Sequence, residues 1–235
     1  MVALSDFETA LITTGNSEVD KKIGGGLPPN SLTLIEGQPD AGKSVLVQQF
    51  VWGCVQTNKR VTVYTTENTT VSLLRQMKSL SLDVDDYFLL GRLDILPVPN
   101  SFPEGADSLY TDLLRHIASK HVDVVFVDAL TAFASHATER QTLDFFSRAK
   151  EVCDSGVSLI VTLHSYATTE QMMTRLSSIC DAHLRLRVED LGTQLVKVIE
   201  VSKVRGATKT TGNIVSFDVE PNFGMKIIPI TKAKA

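Results

Sequence analysis

Eight residues, Gly37-Gln38-Pro39-Asp40-Ala41-Gly42-Lys43-Ser44, fit the pattern G-x-x-x-x-G-K-[ST]. The pattern dictates its own surroundings, a buried strand before it and a helix after it. Both are present. Leu32-Thr33-Leu34-Ile35 reads as a short buried strand, and residues 45–55 read as an amphipathic helix with Val45, Leu46, Phe50 and Val51 inward. In such a loop successive backbone N–H groups converge on phosphate oxygens, and the helix N-terminus adds a partial positive charge. Gly37, Gln38, Pro39, Asp40, Ala41, Gly42 and Val45 are expected to shape that cradle. Lys43 would neutralise the β- and γ-phosphates of a nucleotide, and the Ser44 hydroxyl would bind Mg²⁺. The alternative is a glycine turn capped by Ser44 before an ordinary helix.

The rest of the chain extends this unit. Strand-like runs at 61–65, 93–98, 122–128 and 157–163 alternate with helical periods at 71–80, 108–119 and 138–155. Alternation of this kind predicts right-handed βαβ units and a mostly parallel central sheet with helices on both faces. A short helical turn at 17–23 precedes them. The tail differs. Residues 183–188, 193–203, 212–219 and 225–229 read as consecutive strands, with turns marked by Gly192, Gly206 and Asn222-Phe223-Gly224. They are expected to extend the sheet as antiparallel edge strands. No repeat, low-complexity stretch or linker interrupts the chain, so one α/β domain over 1–235 is expected.

Hydrophobic residues make up 43% and charged residues 21%, enough apolar material for a proper core. The net charge of −4 argues against a large nucleic-acid footprint, which needs a basic face. Cys54, Cys153 and Cys180 show no metal-ligand spacing and read as buried reduced thiols. No apolar run is long enough to span a bilayer, and the first residues are too polar and acidic for a signal peptide. The expected compartment is the cytoplasm.

Three strand ends carry further chemistry. Val124-Val125-Phe126-Val127-Asp128 is an apolar run ending in an acid. Parallel strands present their chemistry at carboxyl ends, so Asp128 is expected beside the loop, holding the Mg²⁺ shell, rather than serving only as a turn former. Glu67, in Thr65-Thr66-Glu67-Asn68, is placed to polarise a water as general base, or else to cap the helix after it. His164 ends the strand at 157–163 and either senses a γ-phosphate or is a satisfied surface histidine. Lys203 and Arg205 alternate on a strand, so both project from one face. From spacing alone they read as a solvated strand face.

Together these residues resemble the KaiC-like branch of the RecA-superfamily ATPases. The matching pieces are Gly24-Gly25-Gly26-Leu27-Pro28, the loop at 37–44, Tyr64-Thr65-Thr66-Glu67-Asn68, Asp128 and Lys203-Val204-Arg205-Gly206. More narrowly the chain looks like the FlaH (ArlH) family of archaellum accessory ATPases, through 15–21, 35–49 and 65–68. The resemblance implies a RecA-like domain binding ATP and Mg²⁺ at the cytoplasmic base of the archaellum motor. It implies the motor ATPase FlaI and the ring protein FlaX as partners, with membrane contact only through them. KaiC-like domains form hexamers with ATP between subunits, and on that pattern Lys203 and Arg205 touch a neighbour's γ-phosphate. One departure stands out: the KaiC-like pattern has two adjacent acids where this chain has Glu67-Asn68. Asn68 cannot accept a proton, so the residues favour nucleotide binding over turnover, with hydrolysis very low. Two other readings share the core fold. One is a recombinase-like DNA-binding paralogue, against which the acidic balance stands. The other is a self-phosphorylating switch, for which Thr65, Thr66, Thr69 and Thr70 are candidates.

Overall fold

In the computed structural model, which describes residues 11–99, 108–190, 195–206 and 214–228, every apolar run singled out above forms a strand of one sheet. The strands are β1 (Leu32–Gly37), β2 (Val61–Thr65), β3 (Leu93–Pro97), β4 (Val124–Asp128), β5 (Ser158–His164), β6 (Ala182–Asp190), β7 (Leu195–Val204), β8 (Ile214–Glu220) and β9 (Gly224–Ile228). Their order is β3-β2-β4-β5-β1-β6-β7-β8-β9. The expected strand and turn positions at 192–194, 212–213 and 229 lie outside the described residues.

The first five strands pair in parallel, and β7, β8 and β9 are antiparallel. One expectation changes at β6. It pairs parallel with β1 and only its other edge meets the antiparallel β7. The reason is a helix between β5 and β6, since a parallel neighbour requires a crossover connection. That helix is α8 (Glu170–Ile179), and Thr169 caps it by accepting the Met172 N–H. It was not evident in the sequence, because its inward residues are Met172, Met173 and Leu176 rather than a long aliphatic stripe.

Strand side chains alternate between two cores. On one face Ile35, Val63, Phe126 and Ile160 pack against α1 (Ser17–Lys22), α2 (Lys43–Gln56), α3 (Thr70–Ser79) and α4 (Asp85–Leu89), with Ile199 and Phe217 of the tail joining them. On the other, Leu34, Val125, Val127 and Leu159 meet α5 (Leu109–Ser119), α6 (Thr131–Ala134), α7 (Glu139–Asp154) and α8. Covering both faces explains why the central strands read as unbroken apolar runs. Helix α7 starts at a capping box, in which Thr138 and Gln141 satisfy each other's backbone N–H groups. All three cysteines are buried and free, and burial pushes the Cys54 and Cys153 thiols up to about 12. Among the described residues no helix is long and apolar enough to cross a membrane.

Phe126 is fully buried at the centre of the sheet, under α2. Phe126→Ala is expected to cost about 3–5 kcal/mol through lost transfer energy plus the cavity left behind. Urea unfolding should show a lower midpoint with an unchanged slope.

Candidate functional site

The strand register assembles the site. Gly37, the last residue of β1, lies opposite His164, the last of β5, while Thr65 of β2 lies opposite Asp128 of β4. The chain therefore leaves β1, β5, β4 and β2 along one carboxyl edge. The loop at 37–44, Asp128, Glu67 and His164 are brought together there.

The loop turns through Asp40 and Gly42, both with left-handed backbone, at φ 59° and 94°. Gly42 is the N-cap of α2, so the first N–H groups of that helix have no side-chain cap. A Cβ at Gly42 would sit 2.9 Å from the Phe217 ring, with the Lys197 stem close behind. A Cβ at Gly37 would sit 2.2 Å from the Leu186 carbonyl oxygen of β6. Lys43 is nearly fully buried. Its Nζ donates to the carbonyl oxygens of Gly37 and Gln38, at 3.0 and 2.8 Å. Burial lowers its pKa, and attraction to Asp128, Glu67 and Asp40 opposes this.

Asp128 is also buried, and its Oδ1 accepts from Thr162 Oγ1 at 2.6 Å. Burial pushes the carboxyl up, Thr162 pulls it down, and the charge of Glu67 pushes it up further. The Ser44 hydroxyl and the Lys43 charge act against that rise without cancelling it. The two groups expected to hold Mg²⁺, the Ser44 hydroxyl and the Asp128 carboxylate, thus face each other. A hydroxyl and one carboxylate, both hard oxygen donors, suit a cation that takes few protein ligands and completes its shell with phosphate and water. Thr66 secures the segment beyond Asp128, exchanging hydrogen bonds with both backbone groups of Ala129.

Glu67 and Asn68 part company. Both backbone N–H groups point to Thr65 Oγ1. The Glu67 side chain stays partly open, with Oε1 4.0 Å from His164 Nε2. The Asn68 side chain turns to α3, accepting from Ser72 Oγ and from Gln76 Nε2 at 2.7 Å. His164 is held by Thr131, stacks on the exposed Tyr166 ring and has its pKa lowered, first by burial and then by Lys43. Both effects favour the neutral imidazole.

Lys203 and Arg205 stand elsewhere. The register puts Lys203 opposite His183, which pairs with Leu34, toward the amino end of β1. Lys203 Nζ donates to the carbonyls of Ser177, Ser178 and Cys180, closing the C-terminal end of α8. Arg205 reaches Asp181 at 3.3 Å. Neither belongs to the phosphate site of its own chain. Thr131, Thr162, Lys197 and Phe217 were missed in the sequence. Thr162 carried a signal, a hydroxyl two residues before His164 on a buried strand. Phe217 carried none, because it reaches the loop only through the return of β8 to the sheet.

The KaiC ATPase family model matches residues 12–232. The archaeal flagellar ATP-binding protein FlaH of Sulfolobus acidocaldarius is 33% identical, over 96% of this chain and 100% of that protein. The chain belongs to the FlaH group of KaiC-like ATPases. FlaH of Methanocaldococcus jannaschii is 29% identical, over 94% of this chain and 96% of its own length. The crystal structure of the flagellar accessory protein FlaH from M. jannaschii superposes with a TM-score of 0.77 at 26% identity, covering 94% of this chain and 100% of that one.

Directly beneath the loop, buried Glu36 of β1 accepts from Arg185 Nε at 2.6 Å. His183 Nε2 lies 3.0 Å from the same oxygen. Burial raises the Glu36 pKa, but His183 and Arg185 outweigh it and hold the carboxyl below its ordinary value near 4.5. Glu36→Gln is expected to cost about 1–3 kcal/mol at pH 7, less than for a fully buried pair because Arg185 is half open to water. A depressed acid contributes fully above its unfolded pKa and loses that contribution as pH falls through the folded one. The gap between wild type and variant in urea unfolding should therefore narrow below about pH 4.5; a gap that widens there would contradict the assignment.

Proposed function

We propose that this chain binds ATP with Mg²⁺ and acts as a weakly or non-hydrolysing regulatory subunit of the archaellum motor, its nucleotide state setting the surface it shows to partners. The observation that carries this is the convergence of the uncapped α2 N-terminus, Lys43, Ser44 and Asp128 on one edge of the sheet. A triphosphate there would replace the Gly37 and Gln38 carbonyls as acceptors for Lys43. The loop N–H groups would hold the phosphate oxygens. Bound Mg²⁺ would neutralise charge shared between the β- and γ-phosphates. The names of the FlaH relatives, archaeal flagellar ATP-binding protein, support ATP as the nucleotide.

Binding is favoured over turnover by the fate of Asn68. Hydrolysis needs a positioned base and stabilisation of developing charge. The residue beside Glu67 cannot take a proton, and its amide is tied to Gln76 and Ser72 of α3. Glu67 remains as the one candidate base, with His164 beside it. Lys203 and Arg205 are proposed to reach the γ-phosphate of a neighbouring copy in a ring of six, an arrangement supported by their distance from the chain's own loop. FlaI and FlaX are the proposed partners.

Lys43→Ala removes a charge-assisted contact worth about 1.5–3 kcal/mol, so Mg-ATP affinity should fall roughly 10- to 150-fold. Calorimetric titration showing wild-type affinity in this variant would rule the site out. Glu67→Ala should leave affinity unchanged and abolish any residual hydrolysis, read as phosphate release over hours. Capture of FlaI and FlaX by the immobilised chain should differ between Mg-ATP and nucleotide-free buffer. Equal capture in both would remove the regulatory reading and leave binding untouched.

A further inference from the structure

Thr131 opens α6, three residues beyond Asp128. Its hydroxyl oxygen receives the His164 backbone N–H at 3.0 Å and lies 3.0 Å from His164 Nδ1. A backbone N–H is an obligate donor, so in the first contact the hydroxyl accepts. The hydroxyl has a single proton to give. Among the described residues no other acceptor is bonded to it; giving the proton to Nδ1 pairs every group, whereas an Nδ1–H donating to the oxygen's second lone pair would leave the hydroxyl proton without a protein acceptor. A neutral imidazole whose Nδ1 accepts must carry its proton on Nε2. Nε2 is the nitrogen that faces Glu67, 4.0 Å from Oε1. The ring cannot swing freely, because Tyr166 stacks on it with centroids 5.1 Å apart and planes 24° apart.

We propose that Thr131 is a positioning residue that fixes His164 as the Nε2–H tautomer, making it a standing hydrogen-bond donor toward Glu67 and toward the terminal phosphate of a bound triphosphate. The phosphate half of this rests on the nucleotide reading above; the tautomer half does not. Asp128 and Thr131 lie on one short segment, anchored midway by the Leu130 N–H on the Thr162 carbonyl oxygen at 2.9 Å. A donor at Nε2 also suits its surroundings. Both groups it can meet, a carboxylate and a phosphate oxygen, only accept.

The test is nitrogen NMR of the full chain labelled with ¹⁵N-histidine. The chain has five histidines, and His164→Gln identifies the signals of interest by their loss. Nucleotide-free wild type should show His164 with bare Nδ1 and protonated Nε2. Thr131→Val, which keeps shape and removes the hydroxyl, should give both tautomers, and Thr131→Ser should restore one. A wild-type ring protonated at Nδ1, or a valine variant with wild-type His164 signals, would overturn the proposal. If the valine variant does not fold, the wild-type spectrum decides alone. Adding Mg-ATP should shift the wild-type Nε2–H resonance. Calorimetric saturation with no such shift would overturn the phosphate half and leave nucleotide binding standing. Absence of binding would overturn that half together with the nucleotide reading, while the free protein's tautomer still decides the first half.

Discussion

The register of four parallel strands is the constraint on which the rest of the structure depends. Gly37 ends beside His164 and Thr65 ends beside Asp128 because β1, β5, β4 and β2 are paired in step. Neighbouring strands lie a little under 5 Å apart, so four chain exits fall within reach of one triphosphate tail. Backbone ladders fix these positions, and two apolar cores press the ladders from either side. A slip of one residue in β4 would turn Phe126 and Val127 to the wrong faces, as well as moving Asp128. Core packing and site geometry are therefore specified by the same pairing.

At this edge the chain tolerates charges that burial disfavours. Asp128 is buried with its carboxyl pushed up, and Lys43 is buried with its ammonium pushed down. Each is partly compensated, Asp128 by the Thr162 and Ser44 hydroxyls and Lys43 by loop carbonyls. Such groups sit where function rather than stability sets the residue. Beside the loop, Glu36 is joined by Arg185 and His183 in a compact polar cluster that ties β1 to β6.

Much of this was legible in the sequence, for identifiable reasons. The loop motif names its own flanking elements, and apolar strands ending in Asp128, Glu67 and His164 announce chemistry at carboxyl ends. What stayed hidden required contacts between distant segments. The parallel placement of β6 depends on α8, whose methionine-rich inward face hardly differs from a loop in pattern. The approach of Phe217 and Lys197 to Gly42 depends on how the tail folds back. The role of Thr131 depends on a hydroxyl meeting a ring 33 positions later. The spacing of Lys203 and Arg205 suggested two side chains on one strand face; β7 ends at Val204, between them, and Lys203 closes the end of α8 while Arg205 meets Asp181.

The close approach of Gly37 to Leu186 has a consequence for reading mutational data on this chain. The motif's leading glycine is the last residue of β1, and the neighbouring strand leaves no room there for a methyl group. Substitution there perturbs the join between β1 and β6 whether or not any ligand is present. Intolerance at position 37 in a saturation screen thus reports on sheet assembly, whereas intolerance at the Lys43 side chain, which bonds loop carbonyls and is drawn to the acids around the cradle, reports on what the cradle holds.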